Sequence, residues 1–364
     1  MTSKERMMCA LRGEKPDMVP VTIHQWQAYH LQYFMDGMTE IEAFESLGMD
    51  ASATYYPAYR PIPTNDWRDE VTTVKTKDGI QYDHVVTTPG GQLTYQICSN
   101  KYTSWYGKPL IRQKEDIYLF RDYYPRMEMK RKELEEHYER LGDGGIARCG
   151  VPNFQGGCYQ AAQVLFGTEE LIYECYDDPD WVHAFLGILL DRKLEYVDTQ
   201  LRGAKVDLVE TGGGGSSDSV ISPAFHEEFC LPYDKKLHEA IRGIGLPTTY
   251  HTCGGMKALL NIIPKNGCTA SETLSPSGVG GNLDHSLRRE VKEKLGSKVA
   301  LIGGMDQIQI LTRGTAEQVE KEVVNLFETY GVGGGYIMSA CDHFFEAPRK
   351  NLEVYVRTAR ECIY

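Results

Sequence analysis

Short apolar runs alternate with longer amphipathic stretches along most of this chain, and the rhythm is regular from about residue 128 onwards. The apolar runs predict strands at 19–23, 146–150, 206–210, 248–252, 269–274, 299–303 and 336–340. The amphipathic stretches predict helices at 4–12, 127–141, 180–201, 222–241, 256–264, 287–295, 315–330 and 348–362. Strands that alternate with helices pair in parallel, so the pattern predicts a (β/α)8 TIM barrel.

Residues 68–112 depart from this rhythm. Apolar and polar side chains alternate there, and turn signals stand at Lys77-Asp78-Gly79 and at Pro89-Gly90-Gly91. This pattern is typical of a β-hairpin or a small antiparallel sheet. We therefore expect one barrel domain over residues 1–364, with an N-terminal β-hairpin insertion at 68–112 over one end of the barrel. The insertion covers the substrate or serves as an oligomer contact, and the sequence leaves both roles open.

A doubly wound open sheet is the competing architecture. The seven or eight β/α units favour the closed barrel, and no Gly-rich dinucleotide fingerprint opens the chain. The glycine run at 212–215 lacks the G-x-G-x-x-G spacing. We interpret it as a wide, flexible active-site loop.

Composition and charge argue against a nucleic-acid-binding protein, a membrane protein and a disulfide-rich protein. The chain has 364 residues and a net charge of −12, and such an acidic surface argues against binding to nucleic acid. No apolar run is long enough to span a membrane, and the polar N-terminal segment has no apolar signal core, so we expect a cytoplasmic location. Ten cysteines are too sparse for a disulfide scaffold, and we expect reduced thiols.

Barrel enzymes place their chemistry at the carboxyl ends of the strands, and three metal-binding side chains lie there. His251 and Cys253 end one predicted strand and, being two residues apart, point the same way; Cys341 directly follows the last predicted strand. One imidazole and two thiolates suit Zn²⁺ and leave the fourth position open for a reactant. Each residue taken alone is usually buried packing, but their grouping at two strand ends predicts a zinc site.

Three further residues near the same end are catalytic candidates. Glu210 ends a predicted strand and is either a fourth ligand or a base, against the alternative of a loop carboxylate paired with an amide. Asp218 precedes a helix start and is expected to line the pocket, and His343 is either a hydrogen-bond donor behind the metal, a substrate contact or a solvated loop residue. His24 and Asp306 also fall near this end, with structural roles equally open.

The chain resembles the uroporphyrinogen decarboxylase superfamily over nearly its whole length. The segments that carry the resemblance are SKERMMCALRGEKPDMVPV near the start and DSVISPAFHEEFCLPYDKKLHEAI in the middle of the chain. The His-x-Cys of YHTCGG, together with the late Cys341, is similar to the zinc motif of the cobalamin-dependent methyltransferase branch. The chain is therefore most similar to that branch.

Two segments depart from the family pattern. The decarboxylases carry an arginine-rich segment after the first strand, which binds the carboxylates of the tetrapyrrole. Here the segment reads HQWQAYHLQY and has no arginine, which argues against a substrate with many carboxylates. The family's Gly-Asn-x-Asp loop is here Gly303-Gly304-Met305-Asp306.

The resemblance implies a zinc-dependent methyltransferase that moves a methyl group to a corrinoid. The cobalamin-ligating Asp-x-His-x-x-Gly stretch is absent from the sequence, so the corrinoid would be carried by a partner protein. Because the chain has 23 tyrosines and four tryptophans, several of them near the early loops, we expect an aromatic methyl ether as donor, as in O-demethylases. The alternatives are a methylcorrinoid:thiol methyltransferase with a coenzyme M-like acceptor and a uroporphyrinogen decarboxylase-like lyase. The oligomeric state stays open, a homodimer included.

Overall fold

The computed structural model describes residues 1–56, 58–152 and 156–364, and this part of the chain forms three β-sheets with helices packed around the largest. Its strands are β1 (Ala51–Thr54), β2 (Tyr59–Pro61), β3 (Arg68–Lys75), β4 (Ile80–Thr88), β5 (Gly91–Ser99), β6 (Ser104–Lys108), β7 (Met127–Met129), β8 (Gly145–Gly150), β9 (Leu208–Gly212), β10 (Thr248–His251), β11 (Ala270–Thr273), β12 (Ala300–Met305) and β13 (Tyr336–Ala340). Its α-helices are α1 (Ser3–Leu11), α2 (Ala28–Phe34), α3 (Glu40–Leu47), α4 (Asp116–Tyr123), α5 (Arg131–Leu141), α6 (Cys158–Phe166), α7 (Thr168–Asp177), α8 (Pro179–Tyr196), α9 (Pro223–Phe225), α10 (Leu231–Gly243), α11 (Arg288–Lys294), α12 (Ala316–Leu326) and α13 (Arg349–Arg360).

The largest sheet has seven parallel strands in the order β1-β8-β9-β10-β11-β12-β13. From β8 onwards every strand is followed by helical segments that cover the outside of the sheet, as the alternating pattern predicts. The α/β barrel class is therefore confirmed. Because the strands are parallel, their carboxyl ends lie at one edge of the sheet, and this arrangement brings side chains from distant parts of the sequence together.

The predicted strand at 19–23 is only partly realised. It makes one parallel bridge, between Val21 and Met338 of β13. On its other side the Asp50 amide, just before β1, donates to the Val21 carbonyl at 2.9 Å. The segment thus fills the gap between the last and first strands of the sheet with a few hydrogen bonds instead of a full ladder. β1 itself was not predicted from the sequence, because its residues, ASAT, include no large apolar side chain.

Two predicted helices differ in the structure. The segment 127–129 forms strand β7, paired with β2, so helix α5 begins only at Arg131. The predicted helix at 256–264 consists of two short 3₁₀ turns, Lys257–Leu259 and Ile263–Asn266. Here the Asn282 side chain accepts the amides of Met256 and Lys257, and this tertiary contact ties the segment to a neighbouring loop.

The insertion after β2 is a four-stranded antiparallel sheet, β3-β4-β5-β6, which is the larger of the two forms that the alternating pattern predicts. Val86 and Leu93 on one face are buried with the core under α4 and α6. β3 is solvent-exposed along its whole length. The turn between β5 and β6 extends to the mouth of the barrel.

Threonine side chains cap two of the helices. Thr315 caps α12, with its side chain accepting the Gln318 amide. At α1 the cap is Thr2, where Thr2 and Glu5 form a reciprocal capping box. Within the described residues, every helix is too short or too polar to cross a membrane.

Candidate functional site

Ionisable side chains meet at the carboxyl end of the barrel strands, inside an otherwise apolar core. Arg148 on β8, Glu210 on β9, His251 on β10 and Glu272 on β11 come from four adjacent strands of the sheet. Arg148, His251 and Glu272 are at most 1% exposed. Charged groups are this deeply buried only when they are paired, so the cluster needs an internal balance of charge.

Arg148 supplies that balance at the floor of the cluster. Its Nη2 donates to Glu210 Oε2 at 2.8 Å and to Glu272 Oε1 at 2.8 Å. Burial opposes the charge of the guanidinium, but the two carboxylates outweigh it and raise the pKa of Arg148. A guanidinium committed to two buried carboxylates is not free to bind an acidic substrate.

Glu272 fixes the orientation of His251. The Glu272 Oε1 atom lies 3.0 Å from His251 Nδ1, which makes Nδ1 the protonated nitrogen of the ring. The opposite nitrogen, Nε2, is buried and has no hydrogen-bond partner among the described residues. A buried nitrogen left without a partner is costly unless something else binds it, so Nε2 marks a ligand position.

The group around His251 can hold a divalent metal ion. Potential ligand atoms of His251, Cys253 and Asp342 all lie within 4.8 Å of one another. Burial opposes protonation of His251, yet the charges of Cys253 and Glu210 and the Glu272 hydrogen bond raise its pKa well above the usual value. The negative groups around this imidazole thus favour a positive charge at this position, and a bound divalent cation would also supply one.

Cys341 lies outside this group. Its side chain is fully buried, its Sγ contacts the Leu274 carbonyl at 3.9 Å, and burial raises its pKa. The Cys341 amide extends the β12–β13 ladder to Met305, and consecutive side chains of an extended chain point to opposite sides. The structure therefore brings Asp342 to His251 and Cys253, and the ligand role of Cys341 stays a prediction.

Two further imidazoles stand beside His251. The ring of His24 lies 4.8 Å from that of His251 and 5.2 Å from that of His343. Burial lowers the pKa of His24 to about 3 and also lowers that of His343. Both rings are thus neutral near pH 7 and can accept a proton or a hydrogen bond. Together with Asp342 they form a second possible ligand group.

The other predicted site residues have separate positions. Glu210 lines the cavity above the cluster, and its pKa is raised by burial and by the Glu272 charge. Asp218 accepts the Ala258 amide and the Asn282 side chain, so it holds the loop that follows Cys253. Asp306 accepts two backbone amides of the following turn.

A cavity of about 590 Å³ opens above the cluster. Its floor includes His24, Glu210 and His343. Its walls carry amide and aromatic side chains, among them Gln160 and Tyr124. This volume suits a small molecule and not a corrin macrocycle, so a corrinoid would have to approach from outside.

The turn between β5 and β6 forms part of the mouth. Thr103 lines the cavity, and the ring of Tyr102 packs 4.8 Å from Tyr29 and 5.1 Å from Phe345. The Tyr102 hydroxyl donates to Glu346 at 3.3 Å. The insertion thus contacts helix α2, which follows the first strand position, and the loop that follows β13.

The glycine run at 212–215 is packed against the site. A Cβ at Gly214 would lie 2.7 Å from Cys253 Sγ, and Gly212 has a φ of 86°. The Gly215 amide donates to Gln160 Oε1 at 2.6 Å. Glycine is required here for the close approach of the loop to Cys253.

Arg148, Glu272 and Asp342 were not among the residues predicted from the sequence. A signal existed for two of them, because central strands of parallel sheets are almost continuously apolar. A charged residue inside the strand sequences IARCG and ASET is therefore conspicuous. Asp342 has no such signal, since it lies in a loop.

The comparisons with known proteins agree with this architecture. A family model described as uroporphyrinogen decarboxylase (URO-D) matches residues 124–362. A uroporphyrinogen decarboxylase from Pseudoalteromonas translucida is 28% identical over 167 residues, 45% of this chain and 43% of that protein. The methylcobamide:CoM methyltransferase MtbA from Methanosarcina mazei is 23% identical over 188 residues, 51% of this chain and 50% of that protein. The chain spans about half the length of these curated relatives.

A solved structure shares the fold over the whole chain. A methyltransferase from Methanosarcina mazei superposes with a TM-score of 0.68 at 17% identity, covering 99% of both chains. The insertion at β3–β6 lies outside the segment that the family model matches.

Proposed function

The chain belongs to the uroporphyrinogen decarboxylase family, and from that premise we propose that it is a zinc-dependent corrinoid methyltransferase. The observation that carries the proposal is the buried, unpartnered Nε2 of His251 beside Cys253 and Asp342. A relative named as a methylcobamide:CoM methyltransferase supports the reaction class. The whole chain would act as a single barrel domain with its site at the carboxyl end of the strands.

His251 and Cys253 would hold the zinc ion, with Asp342 or Cys341 as the third ligand. One imidazole nitrogen and one or two sulfurs suit this borderline-soft ion. Bound zinc would supply Lewis acidity to the heteroatom that carries the methyl group. A corrinoid-binding protein would be the partner, because the cavity is too small to enclose the corrinoid.

The residues of the chain prepare this chemistry. Glu272 holds the His251 ring in one orientation, and Arg148 keeps Glu272 ionised in the interior. Glu210 and His343 face the cavity. Glu210, whose pKa is raised, can give a proton to the heteroatom that loses the methyl group, and the neutral His343 can accept a hydrogen bond there. Asp218 positions the loop after Cys253 and does not contact the cavity.

We propose an aromatic methyl ether as the methyl donor. Tyr56, Tyr59 and Tyr124 line the cavity, together with the apolar side chains of Met127 and Val164. Aromatic and apolar walls of this kind bind a ring and exclude water around it. Transfer to a coenzyme M-like thiol is the second candidate, and the relative's name favours it.

Metal analysis by mass spectrometry tests the site. We expect one zinc ion per chain, lost in Cys253→Ala and retained in Cys362→Ala, which removes a buried thiol of the closing segment. Comparing Cys341→Ala with Asp342→Asn decides the third ligand. Stoichiometric zinc in Cys253→Ala would contradict the proposal.

A methyl-transfer assay tests the reaction. The protein is mixed with veratrole, a neutral aromatic methyl ether, and a reduced free corrinoid, and the corrinoid absorbance is followed. We expect a zinc-dependent change that a chelator abolishes. Activity with methylcobalamin and a thiol, but none with the ether, would favour the second candidate.

A further inference from the structure

The polar groups on the walls of the cavity are uncharged. Side chains from several loops and from α6 contribute amide and phenol groups, namely those of Gln25, Gln27, Gln160, Tyr56 and Tyr124. Neither lysine nor arginine is among the described residues that line it. Positions 57 and 153–155, outside the described part, also carry no basic residue in the sequence.

Three basic side chains beside residues that line the cavity have partners of their own, those of Arg148, Arg126 and Lys101. Arg148 lies beneath the floor, 1% exposed, and is bound to two carboxylates. Arg126 pairs with Glu195 at 3.0 Å on the adjoining surface. Lys101, at the tip of the insertion, lies 4.5 Å above the Tyr102 ring.

The floor of the cavity adds negative charge. Glu210 lines it directly, and Asp342 belongs to the ligand group just beneath. An acid group on an incoming molecule would leave water and meet no lysine or arginine, and a zinc ion in the ligand group beneath would already share the charges of Cys253 and Asp342. Burial of an unpaired anion is strongly unfavourable.

Gln160 presents a hydrogen-bond donor to this space. The Gly215 amide donates to its Oε1 at 2.6 Å, which fixes the orientation of the side-chain amide. Its Nε2 has no partner among the described residues, although Gln160 lines the cavity. The N–H groups of Gln160 are therefore those left for a bound molecule, and an ether, phenol or hydroxyl oxygen would accept from them.

We propose that this cavity selects uncharged methyl donors or acceptors, and that Gln160 is a specificity-determining residue that binds a neutral oxygen of the substrate. The inference rests on the proposed function, which supplies the methyl-transfer reaction. It adds that the substrate is uncharged. It sets this chain apart from any relative whose substrate carries an acid group.

Calorimetric binding to the zinc-loaded protein tests the inference with two matched pairs. Veratrole is compared with veratrate, which adds a carboxylate, and mercaptoethanol with mercaptoethanesulfonate, which adds a sulfonate. In each pair of which either member binds, we expect the neutral member to bind and the anionic member to bind at least about tenfold more weakly. A pair in which the anion binds as well or better overturns the inference, as does the absence of binding by all four.

The two pairs separate this inference from the proposed donor. Neutral preference in the thiol pair, with no binding of either veratrole or veratrate, would keep the inference and remove the aromatic ether. Equal binding of veratrole and veratrate with methyl transfer from both would keep the proposed function and overturn the inference.

Variants test the named residues. Gln160→Leu is expected to weaken veratrole binding about fivefold, which corresponds to one lost neutral hydrogen bond, whereas Gln92→Leu on the exposed insertion leaves it unchanged. Gln27→Arg supplies a cation to the wall and is expected to improve veratrate binding relative to veratrole. Unchanged binding ratios in Gln27→Arg, in a protein that folds and binds zinc normally, would contradict selection by charge.

Discussion

Replacement of Arg148 by methionine tests whether the buried charge cluster depends on one guanidinium. Arg148→Met keeps most of the side-chain volume but leaves Glu210 and Glu272 without their shared cation. Oxygen atoms of these two carboxylates lie within 4.8 Å of each other. At an effective dielectric constant of about 20, two such charges repel each other by roughly 3 kcal/mol.

The lost attraction adds to this repulsion, and protonation of one carboxyl relieves part of it. Removing one partner of a buried ion pair costs about 3–5 kcal/mol in general. We therefore expect Arg148→Met to lower the free energy of unfolding at pH 7 by about 3–5 kcal/mol. Urea unfolding, followed by circular dichroism and tryptophan fluorescence, gives this quantity.

Two further variants make the measurement specific. Arg60→Met removes an arginine that pairs with Glu128 at 2.7 Å on the exposed surface, and it should leave the unfolding midpoint unchanged. The double variant Arg148→Met/Glu272→Gln removes one of the abandoned charges and should be more stable than Arg148→Met alone. A cost below about 1 kcal/mol for Arg148→Met, or a double variant no more stable than the single one, would refute the reasoning.

The remaining predictions concern the glycine run, a buried carboxyl and the insertion. Gly214→Ala should lower zinc content by displacing the adjacent sulfur, while Gly187→Ala, inside α8 with open space around it, should retain zinc and gain about 0.5–1 kcal/mol of stability. Burial raises the pKa of Asp234 to about 7, so its contribution is fully present below about pH 4 and is lost as the pH rises through 7. Asp234→Asn should remove this pH dependence, roughly 4 kcal/mol in urea unfolding, and an unchanged pH profile would refute it. Tyr102→Ala should free the tip of the insertion and speed trypsin cleavage after Lys101, and equal cleavage rates in both proteins would contradict a fixed tip.

The barrel class could be predicted because it depends on repeated, short-range patterns. Apolar runs such as 336–340 and amphipathic stretches such as 315–330 have the periodicity of the elements that they form. Where tertiary contacts overrule the local pattern, the prediction was wrong. The segment 127–129 pairs with β2 as a strand. The segment 256–264 forms short turns, and the Asn282 side chain accepts its first backbone amide.

Only the part of the site that depends on residue type and on position at a strand end could be predicted from the sequence. His251 and Cys253 lie two residues apart, so local geometry alone places them side by side, and the structure retains this. The sequence likewise determined the acidic charge, the insertion and the absence of arginine from the segment after the first strand.

Only the tertiary structure decided which distant residues join that pair. The order β8-β9-β10-β11 in the sheet brings Arg148, Glu210 and Glu272 close to the imidazole of His251. The choice between Asp342 and its neighbour Cys341 depends on which side of the last strand faces the cavity. Such a choice is set by strand register and barrel closure, and these are properties of the packed chain that no local pattern contains.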